Sequence, residues 1–143
     1  MVRTVVGSAV VVTLWDRQAQ RGGITHYLYP RTDNRKGATA RFGNVAVLAL
    51  INMLTVEGCL PEALEAHIIG GAGHPEGSGV NIGDQNVAMA REILAKKQII
   101  VVSEDVGGFM GRKVLFNLAT NEVAVIKVEK LRATDWYPYE DRW

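Results

Sequence analysis

Three kinds of side chain in this 143-residue chain could do chemistry near neutral pH: the histidines His26, His67 and His74, the cysteine Cys59, and the hydroxyl of Ser8 in the run Gly7-Ser8-Ala9. His26 is the best placed for proton transfer. It lies in a run that alternates Ile24, His26, Leu28 against Thr25, Tyr27, Tyr29, the period-two pattern of a strand, and imidazole titrates close to neutrality. A general base needs a nucleophile to serve. Ser8 is a poor one, because on a strand it faces away from position 9 and its surroundings are not G-x-S-x-G. Cys59 follows Gly58 at a helix exit and reads as a half-buried filler, unless the fold joins it to His26. His67 and His74 are placed on an edge strand and in a loop. They share no helical face and bring no nearby cysteine, so they do not assemble the three or four donors a zinc ion takes; no metal or other cofactor is expected.

Two glycine clusters stand near these residues. Gly70-Gly71-Ala72-Gly73, continuing to Gly79, lacks both the Gly-Lys-Ser/Thr ending of a phosphate loop and a G-x-G-x-x-G spacing, and reads as a mobile loop over a site. In the stretch from Asp105 to Lys113, Gly107, Gly108 and Gly111 fall within five positions. They imply either positive φ with main-chain N–H groups facing a site, or a plain strand connection.

The elements that must position these groups begin with a hairpin over residues 5–30, closed by Pro30. A two-residue turn at Arg17-Gln18 sets position 9 opposite position 26. A wider loop centred near Ala19 puts them out of line, unless Gly22 or Gly23 forms a bulge. A helix is predicted over 44–56, with Val47, Leu48, Ile51 and Leu54 inward, Asn44 or Gly43 capping its start and Gly58 its end. A helical turn at 61–65 precedes a short strand at 66–69. A second helix opens at Ile82-Gly83-Asp84-Gln85-Asn86 and presents Val87, Ala90 and Leu94 inward, with Asp84 and Lys96-Lys97 matching its dipole. A buried-looking strand at 98–104 and a hairpin of 114–118 with 122–128, turning at Thr120-Asn121, complete the body. The tail at 132–143, with Trp136, Tyr137, Tyr139 and Trp143, docks on the body or a partner, or frays.

Size and composition fit one domain at 1–131 plus that tail, with a 48% hydrophobic share suited to a globular core. No apolar run reaches the roughly 20 residues of a membrane span and no signal-peptide pattern opens the chain, so a cytoplasmic protein without membrane insertion is expected. The net charge of +1 offers no footprint for nucleic acid. One segment, residues 31–41, is locally basic through Arg31, Arg35, Lys36 and Arg41, either a solvated loop or a rim for an acidic partner. A single cysteine excludes an internal disulfide.

Five ordered stretches together resemble one family. Gly7-Ser8-Ala9-Val10-Val11-Val12 with Gly23-Ile24-Thr25-His26-Tyr27-Leu28-Tyr29-Pro30 is similar to the GSCVAV and G-x-x-H-x-x-L-P signatures of the CheD chemoreceptor glutamine deamidases. Ala40-Arg41-Phe42-Gly43 resembles that family's ARYG turn, Gly70-Gly71-Ala72 its FGGA turn, Ile82 to Asn86 its IGERN helix opening, and Asp105 to Val114 its D-x-GG-x-x-GRKV segment. The resemblance implies a layered α/β sandwich of mixed β-sheets with flanking helices, similar to glutamine-deamidating toxins. It implies a cysteine-dependent amide hydrolase that converts receptor glutamines to glutamate with release of ammonia, acting on the cytoplasmic helical domain of chemoreceptors. By this resemblance the family's catalytic cysteine falls on position 9, where this chain has Ala9, and the resemblance implies His26 as the base, Thr4 as an assisting hydroxyl, and Ser8, Gly70, Gly71, Gly107 and Gly108 in loops that supply substrate or backbone contacts. A methyl group forms no thioester, so the chain as written is expected to be inactive, through a deliberate replacement or as a natural relative turned binding protein. The family also binds the chemotaxis phosphatase, which implies a non-catalytic adaptor as the alternative.

Overall fold

A computed structural model describes residues 1–74 and 81–129. The tail at 132–143, the domain limit at 131 and the end of the glycine-rich loop lie outside the described residues. In chain order the elements are β1 (Val2–Val6), β2 (Val10–Asp16), β3 (Arg21–Tyr27), α1 (Gly43–Val56), β4 (Leu64–Gly70), α2 (Ile82–Lys96), β5 (Ile100–Val106), β6 (Gly111–Asn117) and β7 (Glu122–Val128). They make a three-stranded sheet, β1-β6-β7, and a four-stranded sheet, β3-β2-β4-β5, in which β4 and β5 run parallel. This is the layered α/β sandwich that the family resemblance implied. No helix among the described residues is long and apolar enough to cross a membrane.

The run Val10-Val11-Val12-Thr13-Leu14 is buried throughout because both faces of β2 are covered. Val10, Val12 and Leu14, with Leu64, Ala66 and Ile68 of β4, meet Val47, Leu50, Ile51 and Leu54 of α1 and Val87, Ala90 and Leu94 of α2. Val11 and Ile69 face the other way, onto Val6 of β1 and Val114 of β6. Burying one such aliphatic side chain contributes about 1.5–3 kcal/mol, so the two cores fix the layer order: helices, four-stranded sheet, three-stranded sheet.

Several expectations change. The apolar run at the start is two strands in different sheets: Val5 and Val6 end β1, the chain bends at Gly7-Ser8-Ala9, and β2 begins at Val10. Val2 to Thr4, ahead of the predicted hairpin, also belong to β1. The β2–β3 turn is not the two-residue turn at Arg17-Gln18, since Asp16 pairs with Arg21 and leaves four residues, 17–20, in the loop. Asp16 is the reason: its buried carboxylate accepts the Gln18 N–H at 2.8 Å and the Ala19 N–H at 3.0 Å, and these bonds, the Ala19 one foremost, hold its pKa below the usual carboxylate range. Nor is there a bulge, because Gly22 and Gly23 pair one to one with Trp15 and Leu14.

The strand carrying His67 lies inside its sheet, between β2 and β5, not at an edge. The edge is β5, which is largely exposed rather than buried, with Ile100 and Val102 open to solvent. At the start of α1 the capping position is Phe42, without a side-chain cap. Asn44 instead exchanges two bonds with the main chain of Thr32, at 3.0 and 2.8 Å, and so ties the basic segment to the helix.

Candidate functional site

The bend Gly7-Ser8-Ala9 marks the point where the chain passes from one sheet to the other, and its three carbonyls are held from outside it, two by Gly71-Ala72 and one by α2. Gly7 O accepts from Ala72 N at 3.0 Å, Ser8 O from Asn86 Nδ2 at 2.9 Å, and Ala9 O from Gly71 N at 2.9 Å. In a trans peptide the C=O and the following N–H point in opposite directions, so the Ser8 and Ala9 N–H groups are turned away from those anchors. Neither donates to a described residue. Ser8 is in this bend, exposed, rather than on a strand facing away from position 9.

The glycine clusters build the anchors. Gly70 and Gly71 have φ of 115° and 69°, and a Cβ on Gly70 would run into the Ala9 carbonyl. Gly107, at φ 79°, donates its N–H to Gly70 O at 3.0 Å, and Gly108, at φ 65°, accepts from Gly73 N at 2.8 Å. The N–H groups of Gly71 and Gly107 are thus committed to holding the two turns and the bend together. Behind them Arg112, only 2% exposed, donates through Nε to Asp105 at 3.0 Å, through Nη2 to Gly107 O at 2.9 Å and through Nη1 to Met110 O at 3.3 Å.

His26 comes from β3, directly across the ladder from Val11, and Val11 and Ala9 belong to the same buried cluster between the two sheets. Its Nδ1 lies 3.2 Å from Thr4 Oγ1, a buried hydroxyl on β1. Thr4 is mid-strand and exchanges this bond across the sheets. Burial pushes the His26 pKa down to about 4, so the ring is neutral at pH 7 and can accept a proton. On its outer side a groove of about 540 Å³ runs past His26, Tyr29, Thr39, Arg41 and Phe42, with the Tyr29 and Phe42 rings 5.6 Å apart between centroids.

The other candidates sit elsewhere. Cys59 is 2% exposed in the core on the helix side, beside Asp16; burial first, and that carboxylate second, raise its thiol pKa. The half-buried filler is therefore a fully buried one, and the sheet separates it from His26. His67 meets Ser103 Oγ through Nδ1 and the Asn121 carbonyl at 3.3 Å through Nε2, bonds that join β4, β5 and the β6–β7 turn. Among the described residues no group of three or more metal-ligating side chains occurs. Asn86, which holds the bend, and Arg112, which holds the second glycine turn, carry no site role in the sequence reading. The available signal was an amide within the inward stripe Asn86, Ala90, Leu94.

A buried threonine meets a half-buried imidazole beside a main-chain-anchored bend, inside a layered α/β sandwich. The family described as CheD chemotactic sensory transduction matches residues 28–127, starting two residues beyond His26. The chain is 34% identical over 134 residues to a probable chemoreceptor glutamine deamidase CheD of Sulfurimonas denitrificans, covering 91% of this chain and 85% of that one. It is 41% identical over 118 residues to a probable chemoreceptor glutamine deamidase CheD 1 of Anaeromyxobacter dehalogenans (80% and 68%), and 34% identical over 123 residues to the chemoreceptor glutamine deamidase CheD of Thermotoga maritima (86% and 78%). The chain belongs to the CheD family.

Proposed function

We propose that this chain carries the site of a chemoreceptor glutamine deamidase, working in the cytoplasm, with Ala9 at the nucleophile's position. The observation that carries the reading is the Thr4–His26 bond at 3.2 Å next to the bend that holds position 9. With Nδ1 protonated and donating to Thr4 Oγ1, the ring keeps its basic lone pair on Nε2. A thiol at position 9 would pass its proton to that nitrogen, and the thiolate would attack the glutamine amide carbon. The imidazolium would return the proton to departing ammonia and then activate water to release glutamate from the thioester. The Ser8 and Ala9 N–H groups, turned away from their anchors, suit the developing oxyanion. The groove with Tyr29, Phe42 and Arg41 suits a receptor helix that presents apolar and acidic side chains around its glutamine.

Ala9 has no proton to give, so the chain as written binds without hydrolysing. Ala9→Cys in the full chain should release ammonia from a glutamine-bearing receptor helical segment, and the unaltered chain should not. Absence of turnover from folded Ala9→Cys protein would remove the deamidase reading.

The methyl of Ala9, packed against Val6 and Val11, also favours a second reading, a non-catalytic adaptor that holds the chemotaxis phosphatase. Binding assays with the phosphatase and with the receptor segment separate the two: an adaptor retains the phosphatase, and an enzyme lacking its nucleophile retains the substrate helix.

A further inference from the structure

Asn86 is wholly buried within α2, flanked on the inward face by Val87, Ala90, Ile93 and Leu94. Its Nδ2 donates to the Ser8 carbonyl and to the Leu28 carbonyl, each at 2.9 Å. Both partners are acceptors, which fixes the NH₂ end of the amide towards them. One carbonyl belongs to the bend that carries position 9; the other lies two residues beyond His26. The main-chain carbonyl of Asn86 accepts from the hydroxyl of Tyr27, the neighbour of His26 in sequence. The remaining side-chain atom, Oδ1, is buried with no partner among the described residues. The amide thus satisfies two main-chain carbonyls at the cost of one orphaned acceptor of its own.

We infer that Asn86 is a positioning residue of the site: its amide ties the bend at Gly7-Ser8-Ala9 to the end of β3 and thereby sets the separation between position 9 and the His26 imidazole. The inference rests on the reading of position 9 as the reacting position. The two carbonyls come from segments that share no ladder at those residues, and one NH₂ group spans them. Loss of the amide frees the bend from the strand while the Thr4–His26 bond and the aliphatic core remain.

The experiment uses the full chain. In the Ala9→Cys background, the rate of thiol alkylation by iodoacetamide at pH 7 reads how closely the imidazole serves the sulfur; Asn86→Ala should lower it about tenfold. Leu54→Val, a packing loss on α1 remote from the bend, should leave it within roughly twofold, which separates positioning from general loss of stability. Two further readouts use Ala9 as it stands. The His26 ring-nitrogen resonances should move on Asn86→Ala, and the Asn86 side-chain NH₂ protons should exchange with deuterium at least about 10³-fold more slowly than an exposed amide. If Ala9→Cys releases no ammonia but the His26 resonances still respond to Asn86→Ala, the deamidase reading fails and the tie stands. Unchanged resonances and alkylation rate in folded Asn86→Ala protein would overturn the tie. If that variant does not fold, an exposed-like NH₂ exchange rate in the unaltered chain would overturn it and slow exchange would support it.

Discussion

Thr4 and His26 meet at 3.2 Å although their strands lie in different sheets, β1 beside β6 and β3 beside β2. The hydroxyl holds Nδ1 of that ring and so helps fix which edge the imidazole turns to the bend. In an Ala9→Cys protein, Thr4→Val should lower kcat by roughly 10–10² with little change in KM, because a misaimed base costs the chemical step rather than binding. Thr4→Ser should recover most of the loss. Steady-state ammonia release checks both.

The neutral ring makes stability depend on pH in a defined direction. Burial holds folded His26 at about 4, against 6.5 for a free imidazole. Between those values the unfolded chain binds a proton that the folded chain refuses, so stability falls as pH drops from 6.5 towards 4 and gains no further loss from this group below that. The full effect is about 3 kcal/mol. Urea midpoints at pH 7 and pH 4.5 should differ more in the unaltered protein than in His26→Gln, which has no ring to titrate.

The close approach at Gly70 predicts a sharp intolerance. Gly70→Ala adds a Cβ against the Ala9 carbonyl at φ 115°, where L residues are strained. A loss of about 2–4 kcal/mol is expected from strain and clash together. Thermal unfolding measures it; a variant within about 0.5 kcal/mol of the parent would show that the bend yields easily.

Arg112 holds the second glycine turn through three bonds, to Asp105, Gly107 and Met110. Lysine cannot reproduce that fork, so Arg112→Lys should cost about 2–3 kcal/mol despite keeping the charge, and Arg112→Met more. Chemical denaturation with both variants checks the order.

Much of this architecture was legible in the residues. The pairing of β2 with β3 was legible from two apolar runs flanking a polar turn, the inward stripe at Val87, Ala90 and Leu94 signalled α2, and Asn121, at φ 65°, turns the last hairpin as its neighbours implied. What escaped was long-range. The break at Gly7-Ser8-Ala9 is set by anchors from residues 71, 72 and 86, and no local pattern announces them. The loop at 17–20 follows from the Asp16 carboxylate, whose two bonds outcompeted the tighter turn. The exposure of β5 depends on its place at the sheet edge, which its Ile and Val content does not encode. At the site, His26 was visible from alternation alone, but its contact with Thr4 needed two sheets to be stacked.

The contour around position 9 is drawn entirely by main-chain oxygens, each gripped from outside the bend. Nothing in that grip consults the side chain at its apex. On the proposed reading of position 9, sulfur could be traded for hydrogen there with the main-chain grip unchanged, so that catalysis and recognition would be separable.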